Sequence, residues 1–205
     1  MARFLLGINY WPRRSAMYMW DRFEIDEIGE DMARIKALGL DVVRFFLIWE
    51  AFQPDPGHMN DTTLRRFDAL MERIDAAGLR AMPTLFCGHM SGVNWLPRWT
   101  LERNSTSGRF RTIAGGSIVN RSIGDFYANP ELLRAQVYFA RRVGERLRDH
   151  PALFAWDLGN EFSNLRIPSG ARDGALWSER LSETLLEASG AGTTGGMHGE
   201  DLEQD

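Results

Sequence analysis

The stretch Ala155-Trp156-Asp157-Leu158-Gly159-Asn160-Glu161 decides how this chain folds. An apolar run opened by Leu153 and Phe154 ends abruptly in an amide and a carboxylic acid. A strand covered on both faces reads as a nearly continuous apolar run, so 153–159 predicts a buried strand whose polar end lies at the rim of a sheet. The same pattern recurs upstream. Residues 80–87 form a third strand, preceded by a helical stripe of Leu64, Phe67, Leu70, Met71 and Ile74 that Gly78 stops. Residues 41–49 (DVVRFFLIW) form the second strand. The helix before it carries Ile25, Ile28, Met32, Ile35 and Leu38 on one face and stops at Gly39. Residues 4–10 read as the first strand. Pro130 opens a helix at the favoured first-turn position, with Leu133, Val137, Ala140, Val143 and Leu147 on one face. Leu176, Trp177, Leu181, Leu185 and Leu186 mark a further helix, and 193–198 reads as a short fifth strand. Residues 88–129, rich in Gly, Ser, Asn and Arg, read as one long inserted loop after the third strand, a length usually tied to function or disorder.

Repeated β-then-α order implies a parallel sheet with right-handed crossovers. Two α/β architectures satisfy it, an open doubly wound sheet and a closed barrel. In both, functional groups sit at the C-terminal ends of the strands. Those ends hold Asn9 to Trp11, Trp49 to Gln53, Gly88 and His89, Asn160 and Glu161, and His198.

The chain has 205 residues, is 44% hydrophobic and 25% charged, and has a formal net charge of -4. That composition fits one globular domain over 1–205 with a sizeable core. It lacks the basic footprint of a nucleic-acid binder. No run approaches the roughly 20 apolar residues of a membrane span. The apolar stretch after Phe4 is too short for a signal peptide, so a cytoplasmic location is expected, and the sequons at Asn60, Asn104 and Asn120 then carry little weight. The single cysteine, Cys87, allows no intrachain disulfide. His58, His89, His150 and His198 show no metal-ligand spacing, and no cofactor is expected. Gly190, Gly192 and Gly195 fit a dinucleotide fingerprint in letters only, because they follow a helix rather than a strand.

A carboxylic acid held rigidly at a strand end suits glycoside hydrolysis, which needs one carboxyl group to protonate the leaving oxygen and a second opposite it. Asn-Glu on the fourth strand resembles the signature of the large clan of retaining β-glycoside hydrolases that includes family 5 cellulases and β-mannanases. Arg44, then Ile48-Trp49-Glu50, then Gln53-Pro54, Gly57 and Asn60, resemble that clan's segment after strand two. Leu64, Phe67, Asp68 and the turn Ala77-Gly78-Leu79 are similar as well. The resemblance implies a (β/α)₈ barrel, with Glu161 as general acid/base and Asn160 contacting the sugar. It also implies Arg44 beneath the catalytic carboxylates, and His89 and His198 as substrate-binding residues. Trp49 is a substrate-binding candidate whose competing reading is packing at the barrel rim, and Trp95 and Trp99, on the long loop, are candidates for stacking on sugar rings. An ion pair with Asp157 is the competing reading of Arg44, and Glu50 reads as a solvated loop residue.

In this clan the nucleophile is a Glu at the end of strand seven. None of the acids after Glu161 follows a suitable apolar strand. Strand starts recur about every 40 residues, so eight units need roughly 320. The expectation is an incomplete barrel of about five β/α units, a truncated or split form acting on oligosaccharides or polysaccharides. Open edges on its outer strands would favour self-association or a complementary chain. The alternative is a non-catalytic carbohydrate-binding or assembly protein derived from such a barrel.

Overall fold

The structure is a computed structural model that describes residues 4–106, 108–165 and 167–190. β1 (Gly7–Asn9) leads through a short 3₁₀ turn to α1 (Ile25–Ala37) and β2 (Val42–Phe46). A single-turn helix α2 (Trp49–Phe52) and α3 (Asp61–Ala76) follow, then β3 (Arg80–Cys87). β4 (His89–Met90), β5 (Val93–Trp95), β6 (Thr112–Ala114) and β7 (Ser117–Val119) lie between β3 and α4 (Pro130–Arg146). β8 (Asp157–Asn160) and α5 (Ala171–Ser189) complete the described elements. β1, β2, β3 and β8 form one parallel sheet in that order, and helices cover its outer side. This is the succession of units of a (β/α)₈ barrel, four strands of which fall among the described residues.

The helices form where the apolar stripes require them. In α1, Ile28, Met32 and Ile35 are buried, and in α3, Leu64, Phe67, Leu70, Met71 and Ile74 are. The Asn60 side chain caps α3 by accepting from the Thr62 and Thr63 N–H groups, and Asn129 caps α4 in the same way. Gly39 and Gly78 hold the left-handed conformation that ends α1 and α3 (φ +81° and +64°). Trp20, Phe45, Phe52 and Phe67 pack between β2 and its helices. Phe86, Phe126, Phe139 and Trp177 fill the layer between β3, α4 and α5.

Three expectations need correction. The second strand ends at Phe46, not at Trp49. The Leu47 N–H still donates to the Thr84 carbonyl (2.9 Å), after which the chain winds into α2 and carries Trp49 away from the sheet. The fourth strand pairs only over Asp157–Asn160, whereas Leu153 makes an isolated bridge to Ala81. Residues 88–129 are not one irregular loop, because β4 to β7 pair into a second four-stranded sheet above β3. The expected fifth strand at 193–198 lies outside the described residues.

Candidate active site

Parallel register sets the floor of the site. Arg44 on β2 stands between Asn9 on β1 and Met82 on β3, and Thr84 pairs with Asp157 on β8. The Asp157 Oδ2 atom accepts from Arg44 Nε (2.8 Å), Arg44 Nη2 (2.6 Å) and Thr84 Oγ1 (2.7 Å). Arg44 Nη2 also donates to Asn160 Oδ1 (3.2 Å), and Nη1 donates to Asn9 Oδ1 (3.3 Å). Beneath the guanidinium lies the Phe46 ring, 4.5 Å from Cζ, and Trp11 stacks on that ring at 4.9 Å. A guanidinium held by a carboxylate and an aromatic face is fixed in position as well as in charge.

Asn160 links this floor to the rim. Its Nδ2 donates to the His89 carbonyl (2.7 Å) while its Oδ1 accepts from Arg44, so both ends of the amide are oriented. Glu161 follows in a left-handed turn (φ 54°, ψ 42°), a conformation that a residue with a side chain adopts at a cost. The turn is anchored by its neighbour. A Cβ atom at Gly88 would lie 2.8 Å from Phe162 Cδ1, and one at Gly159 would overlap the same ring. Gly88, just past β3, and Gly159, on β8, therefore let Phe162 lie against them, and the ring holds the turn that presents Glu161. The Glu161 side chain is 52% exposed, and its Oε2 lies 4.0 Å from Nε2 of the buried His89.

Four of the expected residues, Arg44, His89, Asn160 and Glu161, thus meet on one side of the sheet. Trp49 and Trp95 do not present their rings to it. Trp49 is 1% exposed, its Nε1 donates to Gln53 Oε1, and Phe86, Trp99 and Phe126 surround its ring. Trp95 is 6% exposed and donates to the Met90 carbonyl (3.1 Å). Trp99 donates to the Gln53 carbonyl (3.1 Å). Trp49 and Trp99 join α2 to the region between β3 and α4, and Trp95 closes the β4–β5 hairpin; burial removes the Trp49 and Trp95 rings from stacking on a sugar. Glu50 is a brace rather than a solvated residue, since its two oxygens accept from the Arg98 and Gly115 N–H groups. His198 lies outside the described residues. Asp157 is the partner of Arg44, as the competing reading held, yet it also joins Arg44 to Asn160. Thr84 carries no sequence signal that marks it, because it acts through Asp157, a partner distant in the chain.

Cys87 closes the end of β3, beside this group. Burial pushes its thiol up to about 12, with Glu161 adding to the effect and Arg44 opposing it. The raised value favours the protonated thiol in the folded chain. Its contribution to stability is present below about pH 9 and is lost as pH rises toward 12. Folded protein at pH 8 is expected to resist alkylation of Cys87 by iodoacetamide, with labelling appearing only on unfolding. Rapid labelling without loss of the native circular dichroism would contradict this burial.

The family model described as beta-galactosidase, Glyco_hydro_42, matches residues 17–169. Among solved structures, the exo-beta-1,4-mannosidase Op5Man5 from Opitutaceae bacterium strain TAV5 is 28% identical with a TM-score of 0.75, over 91% of this chain and 30% of that one. A GH5_18 protein from Streptomyces cattleya, solved with GlcNAc, is 22% identical with a TM-score of 0.76, over 90% of this chain and 42% of that one. A GH5_18 protein from Bifidobacterium longum subsp. infantis is 21% identical with a TM-score of 0.75, over 92% and 42%. The chain therefore spans less than half the length of these structures. No curated protein matches it. The sequence pointed to family 5, the matching family model is that of family 42, and the solved neighbours include GH5 proteins; all are glycoside hydrolases built on the same barrel. With three quarters of its residues matched by that model, this chain belongs to the Glyco_hydro_42 family of glycoside hydrolases.

Proposed function

We propose that the chain is part of a retaining hydrolase of β-linked glycans, with Glu161 as its general acid/base. The observation that carries this reading is the place of Glu161, in a strained turn at a strand end beside His89 and Asn160 and above Arg44. In a retaining reaction a carboxylate attacks the anomeric carbon while the acid protonates the glycosidic oxygen, and the aglycone departs. Glu161, now ionised, removes a proton from water. That water attacks the anomeric carbon, frees the carboxylate and releases the sugar with its configuration kept.

Asn160 retains one amide hydrogen after its bond to His89, and that hydrogen is available to a sugar hydroxyl. Arg44 retains an Nη1 hydrogen for the nucleophile carboxylate. Asp157 does not fill that nucleophilic role, because three donors hold its Oδ2. We assign the nucleophile to a residue outside those described. The matching family is described as beta-galactosidase and a similar solved structure is an exo-beta-1,4-mannosidase, so the substrate class proposed is a β-linked hexopyranoside.

The test is on the purified 205-residue chain. Aryl β-galactoside and aryl β-mannoside should turn over no faster than buffer, because two carboxyl groups about 5–5.5 Å apart are required. A β-linked oligosaccharide should bind in calorimetry and lose about tenfold in affinity in Asn160→Ala, the effect of one hydrogen bond. Brisk turnover that disappears in Glu161→Gln would show that the second carboxylate is already present. The exposure of the Glu161 carboxyl, with no hydrogen-bonding partner closer than 4.0 Å among the described residues, favours a second reading as a carbohydrate-binding chain without chemistry. Affinity unaffected by Glu161→Gln would support that reading.

A further inference from the structure

His89 is the first residue of β4 and is 4% exposed. Three groups meet its ring. Phe110 packs against it at 4.3 Å between centroids, Asn94 Oδ1 lies 2.9 Å from Nδ1, and Glu161 Oε2 lies 4.0 Å from Nε2. Asn94 sits directly across the β4–β5 hairpin from His89 and is 2% exposed.

The orientation of the Asn94 amide follows from its other neighbours. Its backbone N–H donates to the Arg111 carbonyl (2.9 Å), which ties β5 to the segment leading into β6. Its side-chain Nδ2 faces the Phe110 carbonyl at 3.5 Å, and a carbonyl can only accept. The NH₂ end is therefore turned to Phe110 and the oxygen to His89. An amide oxygen can only accept in turn, so the hydrogen of a neutral imidazole resides on Nδ1 and the lone pair on Nε2.

We infer that Asn94 is a positioning residue that locks the His89 tautomer, so that the site offers a neutral acceptor, His89 Nε2, beside Glu161 for a sugar hydroxyl. The inference deepens the reading of Glu161 as acid/base and rests on it. The 4.0 Å separation is too long for a direct hydrogen bond between His89 and Glu161. A ligand hydroxyl donating to Nε2 leaves the carboxyl hydrogen of Glu161 free for the glycosidic oxygen. With the opposite tautomer, Nε2 would carry a hydrogen and meet the sugar hydroxyl as a donor instead of an acceptor. Asn94 acts only through His89 and touches no reacting atom.

The test reads the tautomer directly in the chain labelled with ¹⁵N-histidine. The His89 signals, among those of four histidines, are identified by their loss in His89→Gln. Long-range proton–nitrogen spectra at neutral pH should show the hydrogen on Nδ1. Loss of one buried hydrogen bond shifts such a ratio by roughly tenfold, so Asn94→Ala should raise the Nε2–H form by that factor. Asn94→Asp, whose carboxylate only accepts, should keep the hydrogen on Nδ1. Should the alanine variant fail to fold, Asn94→Ser serves for the same comparison. A hydrogen found on Nε2 in the unaltered chain, or unchanged spectra in both the alanine and serine variants, would overturn the inference. The readout needs no turnover. A locked tautomer in a chain that binds no saccharide faults the hydrolase reading alone. An unlocked tautomer in a chain that binds saccharide faults only the role of Asn94.

Discussion

Replacing Asp157 with alanine should destabilise the folded chain by about 2–3 kcal/mol and remove measurable saccharide binding. The single oxygen Oδ2 of Asp157 receives two hydrogen bonds from Arg44 and one from Thr84. Breaking a fully buried ion pair costs about 3–5 kcal/mol, because the surviving charge is left in a poor solvent. The Arg44 and Asp157 side chains are 20% and 26% exposed, so water reaches them and the figure is smaller. The effect on binding follows from geometry. Without its anchor, Arg44 no longer holds Asn160 Oδ1, and Asn160 loses the orientation that points its remaining amide hydrogen outward. A double replacement, Arg44→Met with Asp157→Leu, should recover at least about 1 kcal/mol of the loss, since no charge is stranded. Chemical denaturation of the two variants beside the unaltered chain measures this. A double variant less stable than Asp157→Ala would mean that the pair stabilises the fold by itself and that burial of a lone charge is not the dominant cost.

The second large effect is expected at Trp20. Its indole is 1% exposed, packs edge-on to Phe52 at 4.7 Å and also meets Phe45 and Phe67. Its Nε1 donates to the Phe46 carbonyl (2.8 Å), and Arg66 donates to its own carbonyl oxygen. Truncation of a buried aromatic to alanine costs about 3–5 kcal/mol, and the orphaned Phe46 carbonyl adds to it. Trp20→Ala should therefore lose about 4–5 kcal/mol, a large share of the stability of an ordinary domain. Trp20→Phe keeps most of the packing and loses the hydrogen bond, so about 1–2 kcal/mol is expected. The two are compared by their denaturant midpoints, with the slope used to check that the unfolded state is unchanged. A loss below about 2 kcal/mol in the alanine variant would show that the core around β2 can collapse into the space. Because the Phe46 ring also carries Arg44, the larger loss should be accompanied by weaker saccharide binding.

Most of the barrel was legible because its strands are buried on both faces. Arg80 to Cys87 appears in the structure with the bounds read from the sequence. The helices before β2 and β3 carry the predicted apolar stripes and stop where Gly39 and Gly78 predict. The ends of parallel strands converge by construction, so a sequence that places Arg44, His89, Asn160 and Glu161 near those ends brings them together. What failed was anything decided by contacts outside the strands. Trp49 looked like a strand terminus because an apolar run continues through it, but the ladder stops at Phe46 and the indole turns into the helical layer. The sheet within 88–129 depends on Asn94 pairing with Thr112 across 17 intervening positions of mixed composition, which no local periodicity encodes.

The sequence by itself determined the order of strands and helices, the identity of the residues at the strand ends, and through them the barrel. It could do so because burial imposes a period on each segment separately. Only the tertiary structure decided that one Asp157 oxygen serves Arg44 and Thr84, that Gly88 and Gly159 make room for Phe162, and that Asn94 Oδ1 meets the imidazole of His89. Each of these joins groups from different strands or loops. The hydrogen bonds and close contacts that select them exist only once the sheet has set its register.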